Sequence, residues 1–217
     1  MSGDVINIPL MADKLSGEAA EEATTLLMAR ARAGDAAAFD QLITSQQHRV
    51  IALAWRLLGN QDDARDAAQE SFLRVYKNLD KFDPTRDFSG WLYRIVVNVC
   101  RDLARKRTRS RQASLEAEFE AGKLKEPAST HNTEAAAMLS QEHALIARAL
   151  ASLSERERAA IVLRDLEGLS TEEVARILGT RPATVRSQIC SARAKIKTFR
   201  ERWLKNKTRT SAQRDPI

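Results

Sequence analysis

The sequence is poor in several things that small domains lean on. It has only two cysteines, Cys100 and Cys190, far apart and with no CxxC or neighbouring histidine. That pattern argues against a disulfide scaffold and against a zinc site, and predicts two reduced thiols. Eight glycines, five prolines and an aromatic share of 5% in 217 residues leave little turn chemistry for a β-sandwich or barrel. No apolar run is long enough to cross a bilayer, and no stretch alternates convincingly as a strand. The start, MSGDVINIPLMADKLSGEAAEE, carries acids where a signal peptide needs a basic start and an apolar core, so a cytoplasmic protein is expected. The three histidines, His48, His131 and His143, are scattered. With no Gly-rich phosphate loop, nucleophile elbow or paired histidines, neither an enzyme nor a bound cofactor or metal is expected.

What remains is rich in Ala, Leu, Arg and Glu, with a formal net charge of +6. The expected class is all-α, two small helical domains joined by a flexible acidic linker. Helices are expected over about 22–33, 35–58, 61–79 and 89–109, with Asp35 and Ser89 as N-caps. The organisation follows as a polar tail (1–22), a first domain (23–111), a linker (112–134), a second domain (135–204) and a basic, disordered tail (205–217).

The second domain contains two capping boxes, Ser154-x-x-Glu157 and Ser170-x-x-Glu173. The second box opens STEEVARILGTRPATVRSQICSARAKI, a short helix, a Gly179 break and a longer helix entered through Pro182. This is a helix-turn-helix layout. Val185, Ile189, Ala192 and Ile196 form its buried stripe. Ala183, Arg186, Ser187, Cys190 and Ser191 point outward near the N-terminal end, the end that enters a major groove. Arg181, Arg193 and Lys195 add positive charge suited to a phosphate-lined groove.

In the first domain, QDDARDAAQESFLRVYKNLDKF buries Ala64, Ala68, Phe72, Val75 and Leu79. Asp66, Gln69, Glu70 and Leu73 project the other way, and a leucine among acids suits a basic helical partner. The next helix, SGWLYRIVVNVCRDLARKRTR, is apolar over most of its circumference. Arg94, Asn98, Arg101 and Arg105 line its narrow polar wedge, a nucleic-acid track beside aromatics expected to be exposed for stacking on unpaired bases. The loop from Asp83 to Ser89 offers one wall of a base pocket.

Taken in series, DDARDAAQESFLRVYKNLDKF, FSGWLYRIVVNVCRDLARKR, LSERERAAIVLRDLEGLSTEEVARILG and ATVRSQICSARAKI resemble the sigma-70 family of bacterial RNA polymerase sigma factors, in its extracytoplasmic-function (ECF) class. The resemblance implies a non-catalytic subunit that directs core polymerase to promoters. It places Asp66, Gln69, Glu70 and Leu73 on the clamp coiled coil. Phe88, Trp91, Tyr93, Arg94, Asn98, Arg101 and Arg105 fall on the −10 element. Arg181, Thr184, Arg186, Ser187, Gln188, Cys190, Ser191 and Arg193 fall on the −35 element, with the polymerase flap beside them. Many relatives read GTVKSR and carry an arginine three residues further on, where this chain has Ala183, Gln188 and Ser191, so an unusual −35 preference is expected. An anti-sigma factor is a further partner of the class. The LSERERAAIVLRDLEGLSTEEVARILG segment alone also looks like the DNA-binding domain of response regulators. A regulator that binds duplex DNA without polymerase is therefore the alternative, but it leaves the WLYRIVVNVCRDLARKR helix unexplained.

Overall fold

The computed structural model describes residues 14–83, 86–121 and 144–212. Among them there is no strand, as the composition predicts. Helix α1 spans Lys14–Arg32, α2 Ala36–Leu58, α3 Gln61–Lys77 and α4 Phe88–Ala121. A 3-10 turn, Leu79–Lys81, follows α3. The second half holds α5 (144–151), α6 (Glu155–Ile161), a π-helical turn (Val162–Leu166), α7 (Thr171–Leu178) and α8 (Pro182–Ala212).

The helix starts are fixed by side chains that satisfy otherwise unpaired amides. Asp35 accepts from the Ala38 amide, and Arg30 pairs with the same carboxylate at 2.7 Å, tying α1 to α2. Asn60 accepts from the amides of Asp62 and Asp63. Both predicted capping boxes form, at Ser154/Glu157 and Ser170/Glu173. The turn of the helix-turn-helix needs a left-handed residue, and Gly179 supplies it with φ 65°.

Four expectations about the helices change. Asp87, not Ser89, caps α4: its carboxylate accepts from the amides of Ser89 and Gly90. Helix α4 does not stop near Arg109 but continues to Ala121, through the first ten residues assigned to the linker (112–121). The stretch RQASLEAEFEA lacks an apolar stripe, yet its Ala, Leu, Gln and Glu are strong helix formers, and it contains no glycine or proline. Helix α1 begins at Lys14, inside the predicted tail. Helix α8 likewise runs on to Ala212, where a disordered tail was expected. The helical return near Ala135 and the rest of the linker lie outside the described residues.

In the first half, α2, α3 and α4 pack around Leu42, Val50, Leu53, Val75, Leu92, Val96 and Val97, all essentially inaccessible. In the second half, Leu163, Val174, Val185 and Ala192 fill the space between α6, the π-helical turn, α7 and α8. The two halves touch, with α4 packed on α7 and α2 on α6. No described helix is long and apolar enough to cross a membrane.

Candidate nucleic-acid and polymerase interfaces

On α3, Asp66, Gln69 and Leu73 are exposed and Glu70 is half-buried, so the predicted docking face exists as a surface. Leu73 leaves 46% of its surface open. Tyr76, which the sequence reading did not single out, extends the stripe at 64% exposure and rests edge-on against Phe39 at 5.2 Å. Its spacing of three from Leu73 was the available signal. Glu70 is held by Arg74 at 2.8 Å, and Arg74 reaches on to Asp102 at 3.2 Å. The cationic partner thus orients Glu70 rather than leaving it free.

On α4, Arg94, Asn98 and Arg105 are exposed along one face. Arg101 shares the face but is partly covered and pairs with Glu155 at 3.3 Å. The aromatics do not behave as expected. Phe88 and Tyr93 are buried and Trp91 is half-buried. Phe82, Phe88 and Trp91 form a knot with centroids 5.0–5.9 Å apart, which anchors the loop at the head of α4. Tyr93 is fully inaccessible, because the apolar circumference of α4 leaves a ring at that position no way out. Its hydroxyl donates to Glu167 at 3.0 Å, and burial together with that carboxylate pushes its pKa well up. The expectation of an exposed stacking platform is corrected accordingly. Beside the knot, Thr25, Met28, Arg32, Asp80, Phe82, Arg86 and Phe88 line an open cleft of about 420 Å³, so α1 forms one wall and the loop the other.

Arg181, just before α8, and Thr184, Arg186, Ser187 and Cys190 on it are exposed. Arg186 lies 3.5 Å from Glu172 of α7, a loose pair between two open side chains. Of the other three predicted readers, Ser191 and Gln188 are partly buried and Arg193, though exposed, is held by an acidic partner. Ser191 donates to Glu157 at 2.6 Å, because α6 lies along that flank of α8. Lys195 grips both oxygens of the same carboxylate at 2.8 Å. Hydrogen bonds from Lys195, Ser191 and Ser154 hold the Glu157 carboxyl well below its ordinary range, at about 2. Arg193, on the opposite flank, forms a two-pronged pair with Asp165 of the π-helical turn at 2.9 and 2.8 Å. That pair raises the pKa of Arg193. Gln188 is half-buried, and its amide oxygen is enclosed without a hydrogen-bond partner. Arg181, Thr184, Arg186, Ser187 and Cys190 are therefore the exposed part of the predicted reading face not tied to α6 or the π-helical turn.

Cys100 is buried in the first core, and desolvation pushes its thiol up to about 12. Among the described residues no three His, Cys, Asp or Glu side chains cluster as metal ligands.

One ion cluster joins the halves. The Glu167 side chain is only 4% exposed. It accepts from Arg56 at 2.6 Å, from Arg49 at 3.3 Å and from Tyr93. Arg158 donates to the Leu57 carbonyl at 2.8 Å, and to the carbonyls of Leu150 and Leu153 on its own side.

Comparison with known proteins gives two family matches in chain order: Sigma-70 region 2 over residues 42–110 and Sigma-70, region 4 over residues 143–196. The chain is 40% identical to the ECF RNA polymerase sigma factor SigE of Mycolicibacterium smegmatis over 76% of its own length, spanning 64% of that relative. It is 39% identical to the ECF RNA polymerase sigma-E factor of Escherichia coli, covering 79% of this chain and 91% of that one. Among solved structures, CnrH in complex with the cytosolic domain of CnrY matches with a TM-score of 0.61 at 31% identity, over 82% of this chain and 97% of that chain. The sigma factor RpoE of Bartonella quintana, in complex with the anti-sigma factor NepR, matches with a TM-score of 0.61 at 26% identity, over 75% and 96%. Two helical regions of the right kinds and order, with an open cationic face on α4 and a helix-turn-helix behind it, agree with these likenesses: the chain belongs to the ECF family of RNA polymerase sigma factors.

Proposed function

We propose that this protein docks on core RNA polymerase through the α3 face of Asp66, Gln69, Glu70 and Leu73. Holding polymerase there, it reads a promoter with its two halves. Residues 23–111 engage the −10 element and residues 135–204 the −35 element. Arg94, Asn98 and Arg105 track the −10 strand, and their exposure on one side of α4 supports that role. Phe88, Trp91 and Tyr93 act behind them. They brace the loop and the helix that carry the contacts, and the adjacent cleft is roomy enough for one unstacked base. At the −35 element, Arg186 is the base reader, with Thr184, Ser187 and Cys190 beside it and Arg181 on phosphate. Ser191, Gln188 and Arg193 set the position of α8. The protein works by binding, not catalysis, in the bacterial cytoplasm, and an anti-sigma factor is a partner.

The observation that carries this reading is the presence on one chain of both matched regions, each with its cationic face open. The test is in vitro transcription with purified core polymerase on a promoter library. Specific start sites that depend on the protein are expected, and the selected templates report both elements together. Core that is competent with another sigma factor but starts nowhere with this one would remove the reading.

A further inference from the structure

Glu172 belongs to none of the three faces, yet it touches the residue proposed to read the −35 element. It sits in the first turn of α7, two residues after the Ser170 cap, and its carboxylate meets Nη2 of Arg186 at 3.5 Å. The two helices are fixed relative to one another. Gly179 makes the turn in the left-handed conformation, the Thr180 amide donates to the Ala175 carbonyl, and each helix buries a valine, Val174 and Val185. The neighbouring Glu173 is committed to the Ser170 capping box. Glu172 is not, and among the described residues Arg186 is its only ion-pair partner.

Charge makes the position unusual. Between Arg181 and Arg200 the chain has no acid, and the other two carboxylates that bind this part of α8, Glu157 and Asp165, are largely covered. The Glu172 side chain is 62% exposed, so it stands on the surface that DNA would approach. An acid there repels phosphate oxygens and lowers affinity for any DNA. Its effect on sequence choice runs the other way. A guanidinium recognises guanine by placing two N–H donors on O6 and N7 at once, which requires a fixed plane and direction. An unheld arginine samples many rotamers and binds phosphate as readily as a base edge. A carboxylate on Nη2 restricts those rotamers, and the five N–H donors of the guanidinium leave enough for a guanine. The same charge disfavours the phosphate-bound poses in which Arg186 would tolerate a wrong sequence.

We propose that Glu172 is a positioning residue that sets the base selectivity of Arg186, holding its guanidinium for one guanine while lowering general DNA affinity. This rests on the −35 role of Arg186.

The test uses holoenzyme assembled from core polymerase and the full chain, as wild type, Glu172→Gln, Arg186→Ala and the double variant. Fluorescence anisotropy reads binding to a duplex with the selected −35 sequence and to duplexes substituted at one −35 position at a time. Wild type is expected to prefer guanine at one position by at least about fivefold, and Arg186→Ala to remove that preference. Glu172→Gln is expected to bind the substituted duplexes more tightly and to lower the preference at least about twofold, the lower edge of coupling between contacting residues. A residue that merely supported the fold would weaken all duplexes alike. In the Arg186→Ala background the Glu172 change should leave the ratios between duplexes untouched. Equal tightening on every duplex would overturn the proposal, because Glu172 would then act on phosphate alone. So would a further loss of discrimination in the double variant, because Glu172 would then read a base itself. A wild-type preference that Arg186→Ala erases and Glu172→Gln leaves intact removes this inference alone. Holoenzyme with no −35 preference, or with one that Arg186→Ala does not touch, removes the reading on which it rests.

Discussion

Replacing Glu157 with glutamine should lower the stability of the C-terminal half at neutral pH and leave it nearly unaffected in strong acid. Glu157 binds Ser154 at the head of α6, and Ser191 and Lys195 on α8, so one carboxylate joins two helices. Those bonds take its pKa from 4.5 to about 2. A depression of that size corresponds to about 3 kcal/mol. Lys195 is 48% exposed, and its water-screened charge contributes less than a buried one, so about 2 kcal/mol is the better figure. The sign follows from linkage. The folded pKa is depressed, so the stabilisation is fully present above pH 4.5 and is lost as pH falls towards 2. Thermal melts followed by circular dichroism at pH 7 should place Glu157→Gln about 4–8 °C below wild type. Other carboxylates titrate in both proteins, so only the difference between the two melts matters. That difference should shrink steadily between pH 4.5 and 2. A gap that stays constant over this range, or no gap at pH 7, would refute the assignment of the shift to these bonds.

Other outcomes follow from the same geometry. Ser191→Ala should cost about 1 kcal/mol of stability, read by chemical denaturation, while the −35 sequence selected in transcription stays the same. Arg186→Ala should do the reverse, leaving melting within error and losing about 1–3 kcal/mol of discrimination at one −35 position, read by holoenzyme binding to substituted duplexes. Leu73→Glu places a charge at the exposed centre of the α3 face and should weaken core binding at least about tenfold, with little change in melting, as expected of an interface anchor. Phe82→Ala should loosen the aromatic knot, lower stability by about 3 kcal/mol and reduce opening at −10, read by permanganate reactivity of unpaired thymines.

The local grammar of the chain was easy to read. Ser154 and Ser170 announce helix starts because each has a glutamate three residues on, and both boxes form. Val185, Ile189 and Ala192 recur at helical spacing and are buried. What stayed hidden depends on pairs distant in sequence. Nothing near Ser191 says that its partner is Glu157, 34 residues earlier. Nothing near Tyr93 says that its hydroxyl meets Glu167, 74 residues later. A serine on the outward half of a wheel looks like a reader until the neighbouring helix is placed. The length of α4 is hidden for a different reason: a stretch whose sequence has no apolar stripe offers no periodicity to find, although its helix propensity is high.

The Glu157 node also bears on how such a protein diversifies. If the proposed −35 reading holds, a copy made by gene duplication can acquire a new promoter by single changes at Thr184, Arg186, Ser187 or Cys190, since each faces solvent. Position 191 is not free in that way, because its side chain is committed to a carboxylate that Lys195 also holds. Recoding it with arginine leaves two cations competing for Glu157, so residues 157, 191 and 195 should change as a set across descendants. An engineer building mutually insulated sigma–promoter pairs on this scaffold gains most by randomising the first four positions and moving the other three together.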